Sequence, residues 1–180
     1  SQLAMGTFDD VNAINKIAVN THLAGSAGVI TGAILTRLLG GKTDIIMMLN
    51  GALAGLVAIT AEPLTPTPLL AILIGSIGAV IMYFGTKFLE KQKLDDVVGA
   101  IPVHMFAGIF GTLVVPMSNP ETNFGTQFQG VISVCLFSFV LSYILFKVMK
   151  KTIGIRISKE AEKLGTDKAE IGVLAYSIRD

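Results

Sequence analysis

The chain has 180 residues, of which 52% are hydrophobic and 15% charged, and its mean hydropathy is +0.68. Soluble domains typically carry about 25% charged residues, whereas here charge is absent from five stretches of 17 to 25 residues each. A helix that rises about 1.5 Å per residue needs roughly 20 apolar residues to cross a membrane, so these stretches predict membrane spans. The composition therefore excludes a soluble fold, and the lack of alternating polarity argues against a transmembrane barrel.

An all-α integral membrane fold is thus predicted, with five transmembrane helices in a bundle that covers residues 1–151. The predicted helices, in chain order, cover residues 11–39, 44–59, 67–89, 96–115 and 127–151. Asp44 and either Asp95 or Asp96 stand where the second and fourth helices begin, and we expect a carboxylate there to cap its helix. The proline-rich segment 63–68 predicts a rigid turn between the second and third helices.

Lysine and arginine residues fall in alternate loops between the predicted helices. The basic positions are Arg37 and Lys42, then Lys87, Lys91 and Lys93, and after the fifth helix Lys147, Lys150, Lys151 and Arg156. The loops at 62–63 and 116–126 carry none. Because basic residues favour cytoplasmic loops, the pattern predicts a cytoplasmic C-terminus and an outside N-terminus. The charged tail, residues 152–180, is then cytoplasmic, either as a disordered end or as an ordered docking segment.

Small residues recur at helical spacing within the charge-free stretches. Pairs lie four residues apart at Gly28 and Gly32, Gly51 and Gly55, and Ala107 and Gly111, and three apart at Gly75 and Gly78. Such stripes let helix backbones approach closely inside a membrane. They predict a compact bundle, although channels, transporters and membrane enzymes all use this spacing.

Several functional classes are excluded by what the sequence lacks. A net charge of +1, with no basic cluster on one face, argues against a nucleic-acid partner. The single cysteine, Cys135, allows no internal disulfide, and neither histidine has a carboxylate or thiol at ligand spacing, so no metal or cofactor is predicted. Nucleophile motifs, phosphate loops and paired carboxylates are missing, so we do not expect an enzyme.

Polar side chains that remain inside an apolar span are costly and therefore mark candidate functional positions. His104 lies roughly 10 Å into the fourth predicted span, and its helical face continues through Gly108 and Gly111, which leaves room for a lumen or a closely packed partner. A structural histidine that bonds between helices is the alternative. For His22 an interfacial role is favoured, and for Asn50 an interhelical hydrogen bond.

The residues around His104 resemble a known family. The stretch LDDVVGAIPVHMFAGIFGT (residues 94–112) is similar to the pore-histidine helix of ammonium transporters, in the ammonium transporter, methylammonium permease and Rhesus superfamily. Three further blocks resemble the same family: AVNT (18–21), NGALAGLVAIT (50–60) and the tail from 154 to 176. The resemblance implies eleven spans built from two inverted five-helix repeats and a final long helix. The five spans here correspond to spans seven to eleven, so the chain is expected to be the C-terminal half.

The resemblance also implies a function and its site residues. His104 matches the second of two pore histidines, which handle deprotonation and proton relay in an apolar lumen, while the first histidine belongs to the preceding half. Ser1 matches a serine of the outer vestibule, and Thr60 a pore-proximal threonine. In this sequence Met105 replaces the glycine that usually follows the histidine, and Ile171 replaces a histidine that many members carry.

The partners implied by the resemblance are ammonium or ammonia, membrane lipid, two further copies in a homotrimer, and a regulatory protein of the PII class at the cytoplasmic face. The location implied is the cell (inner) membrane. Two alternatives share the same membrane residues: an ammonium sensor whose tail leads to a signalling domain, and a Rhesus-like conduit for ammonia or carbon dioxide.

Overall fold

The computed structural model describes residues 7–173, and every regular element in that range is helical. The helices are α1 (Phe8–Gly40), α2 (Ile45–Thr60), α3 (Pro68–Lys91), α4 (Ile101–Met117), α5 (Phe124–Thr152) and α6 (Lys159–Leu164), with a π-helical turn at Asp167–Ile171. α1, α3 and α5 are long and apolar enough to cross a membrane, while α2 and α4 are apolar but shorter. The predicted all-helical class is confirmed for the described residues, and the count of five spans stays a prediction.

The chain divides into two compact units, Ser1–Ser133 and Val134–Asp180. In the first unit, α1, α2 and α3 pack against one another, and α4 packs against α2 and α3. In the second unit, α6 packs against the π-helical turn that follows it. α5 runs across the boundary between the units and buries none of its residues.

Side chains and a glycine fix both ends of α1 and the start of α2. Thr7 and Asp10 form a capping box in which each backbone N–H donates to the other residue's side chain, and this starts α1 at Phe8. At the start of α2 the Met47 N–H donates to the Asp44 carboxylate over 3.1 Å, which confirms the predicted cap. Gly41, at a φ of +76°, ends α1 in the left-handed conformation that glycine adopts without strain.

The fourth helix begins at Ile101 rather than at residue 96. Val97 to Ala100 form a turn in which Gly99 has a φ of +73°, so a helix cannot run through it. The Asp96 carboxylate accepts hydrogen bonds from the N–H groups of Ala100 and Ile101, both at 2.9 Å. Asp96 therefore caps the first free N–H groups of α4 as predicted, although it lies five residues before the first residue of the helix.

Glycines bring the backbones of the first unit into direct contact. A Cβ placed on Gly28 would meet the Gly51 carbonyl, and one placed on Gly111 would meet the Ala58 carbonyl. A Cβ on Gly32 would lie 2.9 Å from the Met47 carbonyl oxygen. The predicted close packing through small residues is thus confirmed, and side chains larger than hydrogen do not fit at these crossings.

Candidate functional site

His104 lies on the surface of the first unit. It occupies a π-helical segment, Ile101–Phe106, that forms the first turn of α4, and the Ala107 N–H bonds to the Pro102 carbonyl five residues back. Pro102 and Val103 are buried, whereas His104 is exposed and its imidazole makes no hydrogen bond within residues 7–173. The buried neighbours anchor the turn and leave the imidazole free to meet a ligand or a further part of the protein.

The two glycines that follow His104 play different roles. Gly108 is half-buried, and a Cβ there would make only an ordinary contact of 3.5 Å with Val57. Gly111 is buried against the backbone of Ala58 in α2. Both glycines face α2, Gly108 at Val57 and Gly111 at Ala58, so the two lie on one side of α4 and differ in how closely α2 approaches them. Beside His104 the contact with α2 is therefore looser at Gly108 and close at Gly111.

Two side chains hold the turn that leads into the histidine segment. Asp96 caps Ala100 and Ile101, as described above, and the Asn50 amide of α2 donates to the Val98 carbonyl over 3.0 Å. A Cβ on Gly99 would lie 2.7 Å from the Asn50 amide nitrogen. Asn50 was predicted to bond to another helix, and it bonds instead to the turn that sets where α4 begins, which ties that turn to α2.

The other predicted site residues do not join His104. Thr60 is exposed at the last position of α2, and its hydroxyl donates to the Leu56 carbonyl of its own helix. Since Ala58 contacts Gly111 and α2 runs parallel to α4, Thr60 lies about 13 Å along the helix axis from the level of His104. Ser1 lies outside the described residues. His22 is exposed on α1 and has no hydrogen bond among the described residues. Met105 is 46% exposed.

A polar network that the sequence analysis did not predict lies at the other end of α2. Asn20 is fully buried and donates from its amide nitrogen to the carbonyls of Pro63 and Pro66, both at 2.9 Å. The buried Glu62 carboxylate accepts from the N–H groups of Leu64 and Thr65 and from the Asn119 amide. These bonds fix the proline-rich segment 63–68 to α1 and to the end of α4. In the sequence Glu62 lies at the edge of a loop, and nothing there marks its pairing with Asn119.

No group of three or more histidine, cysteine, aspartate or glutamate side chains within the described part of the chain could hold a metal ion. The group that remains for chemistry in the fourth helix is the exposed imidazole of His104. The apolar side chains of Ile101 and Met105 in the same π-helical segment are also exposed.

Comparisons with known proteins identify the family. Residues 4–176 match the model of the Ammonium Transporter Family. The chain is 40% identical to the ammonium transporter Amt2 of Archaeoglobus fulgidus, with 91% of this chain and 39% of that protein covered. It is 34% identical to Amt1 of Methanocaldococcus jannaschii, with 90% and 42% covered. The chain thus spans about two fifths of the length of these relatives.

Solved structures share the fold. A protein described as a sensor Amt protein superimposes with a TM-score of 0.80 at 31% identity, over 88% of this chain and 42% of the other. Mep2 of Candida albicans superimposes with a TM-score of 0.75 at 25% identity, over 87% and 39%. The family model covers nearly the whole chain and the fold is shared, so the chain belongs to the ammonium transporter family.

Proposed function

We propose that this chain takes part in the transport of ammonium across a membrane, as spans seven to eleven of an eleven-span protein. Family membership supports this function, and the relatives described above are named as transporters rather than as enzymes. The observation that carries the proposal is His104, an exposed imidazole in a charge-free helix, followed at Gly108 by a position without a side chain.

The chemistry of the substrate explains why a histidine suits this position. Moving bare ammonium into an apolar medium costs on the order of tens of kcal/mol by Born solvation, whereas neutral ammonia costs only a few. An apolar pathway therefore favours loss of a proton before the substrate crosses. A neutral imidazole donates from one ring nitrogen and accepts at the other, so it can orient ammonia or pass on the proton. His104 is proposed to do this together with a second histidine from the preceding half of the protein.

The remaining parts of the proposal concern assembly and orientation. The alternation of basic loops supports a C-terminus in the cytoplasm and a location in the cell (inner) membrane. Resemblance to the family supports a homotrimer and a PII-class regulatory protein at the cytoplasmic face. Thr60 is proposed to lie near the outer part of the pathway, because it is exposed at the end of α2 that the loop charges assign to the outside.

The test replaces His104 in the full-length protein and compares it with the other histidine of the chain. His104→Ala is expected to abolish ammonium-driven current, or to convert it into electroneutral flux of ammonia, because no other side chain of α4 within the described residues can take up a proton. His22→Ala is the matched control, since His22 is also exposed but lies on α1. Wild-type current and selectivity in His104→Ala, with equal protein in the membrane, would contradict the proposal.

A sensor is the second candidate function, and it is supported by the likeness to the protein described as a sensor Amt protein. A sensor would use the same membrane residues but pass the binding event to a signalling module. The residues that follow Asp180 in the gene distinguish the two, since a kinase or nucleotide cyclase there would favour sensing. Gas-flux assays with ammonia and carbon dioxide test the Rhesus-like alternative.

A further inference from the structure

A small cavity lies inside the first unit where α2 and α4 end side by side. Its volume of about 10 Å³ is close to the least that holds one water molecule. Apolar side chains of α2, α3 and α4 line it, and Glu62 and Ser118 add polar side chains to the wall. Gly111 is the lining residue of α4 closest to His104 along the chain, at seven residues, so the cavity is separate from the candidate transport site.

Two contacts keep this space from closing. On one side α2 and α4 are already in backbone contact, since a Cβ on Gly111 would meet the carbonyl of Ala58. On the other side the Asn119 amide donates to the Glu62 carboxylate over 3.0 Å. Protein interiors contain few voids that admit a water molecule, and those with polar groups in their walls are normally hydrated. A cavity held open in this way is therefore expected to contain water.

The Ser118 hydroxyl supplies a hydrogen-bond donor at this cavity. It lies 2.9 Å from the Thr65 hydroxyl, and one of the two hydroxyls donates to the other. The hydrogen that this pair does not use has only a long bond within residues 7–173, from Ser118 to the Val115 carbonyl at 3.4 Å. O–H donors usually lie about 2.7–2.8 Å from their acceptors. An acceptor in the cavity would therefore take this hydrogen at a better distance.

The Glu62 carboxylate supplies the matching acceptor. It is 9% exposed, and one of its oxygens accepts from the N–H groups of Leu64 and Thr65, both at the long distance of 3.3 Å. An ionised carboxylate accepts several donors at once, so a further O–H donor would add to these bonds. The wall thus presents both a hydroxyl donor and a carboxylate acceptor to a molecule in the cavity.

We propose that this cavity binds one water molecule, which accepts from the Ser118 hydroxyl and donates to the Glu62 carboxylate. Ala58 and Ile59 of the wall belong to the last turn of α2, where carbonyls have no N–H partner from the helix itself, so one of them can accept the second hydrogen. Three hydrogen bonds are typical of a buried water. Ammonium and metal ions are less suited, because neither can accept from the Ser118 hydroxyl. The proposal does not depend on ammonium transport.

This water connects two hydrogen-bonded pairs, Thr65 with Ser118 and Glu62 with Asn119. Both pairs join the proline-rich segment that follows α2 to the segment that follows α4. A water shared by the two pairs makes these segments one hydrogen-bonded unit, so loss of either pair is expected to weaken the other.

The first arm of the test is a structure of the full-length protein at a resolution that shows ordered water. One peak is expected in the cavity, within about 3.2 Å of both the Ser118 hydroxyl and a Glu62 carboxylate oxygen. A second crystal is soaked with thallium, whose monovalent ion is similar to ammonium in size and is located by its anomalous signal. An empty cavity, or a thallium peak inside it, would overturn the proposal.

The second arm changes the hydroxyl. Ser118→Val replaces it with methyl groups that occupy the same space and make no hydrogen bond, so we expect the water peak to be lost and the melting temperature to fall. Ser133→Val is the matched control, since the Ser133 hydroxyl bonds to the Gln129 carbonyl of its own helix and does not line the cavity. The control should keep the water peak of the wild type. A peak that stays in place in Ser118→Val would contradict the proposal, because Ser118 would then not hold the water.

Discussion

Gly75→Ala is expected to lower the melting temperature of the protein sharply, because the added methyl group has no space to occupy. A Cβ on Gly75 of α3 would meet the Ala24 carbonyl oxygen of α1 and would lie 2.6 and 2.7 Å from its Cα and carbonyl carbon. All three atoms belong to the backbone, so no rotamer change can relieve the overlap. Overpacking typically costs about 1–3 kcal/mol, and we expect this site to reach or exceed the upper end.

The same substitution elsewhere controls for the loss of a glycine. Gly130→Ala in α5 has nothing within 4 Å of the new Cβ, and alanine is the better helix former by about 1 kcal/mol, so stability should hold or rise slightly. Melting temperatures in one detergent, followed by the loss of monodisperse protein on heating, provide the measurement. If Gly75→Ala has the same melting temperature as the wild type, α1 and α3 do not cross as closely as described.

A double variant tests whether Ala24 is the shared point of contact. A Cβ on Gly55 of α2 would also meet the Ala24 carbonyl, so α1 is held between α2 and α3 at this residue. The first methyl group is expected to displace Ala24. The second then lowers the stability by less than it does alone if both displace Ala24 in the same direction, and by more if they displace it in opposite directions. Gly55→Ala with Gly75→Ala should therefore depart clearly from additivity, whereas Gly130→Ala should add independently to either.

The sequence predicted the helical class, the close glycine contacts and the Asp44 cap, because each depends on local spacing. It did not predict where α4 begins. The stretch 97–120 is free of charge, yet only Ile101–Met117 is helical, since the absence of charge indicates burial in lipid or protein and not backbone conformation. The positive φ of Gly99 and the π turn around His104 depend on contacts with Asn50 and Asp96, which lie on either side of the turn.

The outer polar network was missed for a similar reason. Glu62 and Asn119 are 57 residues apart, and their hydrogen bond at 3.0 Å exists only because α2 and α4 end side by side. Asn20 could be singled out as a polar residue within a span, but its partners are backbone carbonyls of a proline segment, which no side-chain pattern reveals. Long-range pairs of this kind follow from the packing of the helices and cannot be read from one sequence.

Asp96→Asn is expected to reduce transport by full-length protein while leaving most of the protein folded. The two carboxylate oxygens of Asp96 accept from the N–H groups of Ala100 and Ile101, and an asparagine keeps only one acceptor and turns an NH2 group towards the other donor. A hydrogen bond to a charged group contributes about 1.5–3 kcal/mol. The loss falls on the turn before His104, far from the close helix crossings, so it should loosen the start of α4 rather than unfold the bundle.

The neighbouring residue Asp95 provides a matched control for this prediction. Asp95→Asn removes the same charge one residue earlier, and Asp95 makes no hydrogen bond within residues 7–173, so its transport rate should match the wild type. A loss of 1–2 kcal/mol lowers the ratio of ordered to frayed turn about 5- to 30-fold, which is the largest fall in initial ammonium uptake expected for Asp96→Asn. Asn50→Ala removes the hydrogen bond to Val98 and should also lower the initial uptake of ammonium. If both aspartate variants transport equally, a general loss of negative charge is the cause and Asp96 does not position His104.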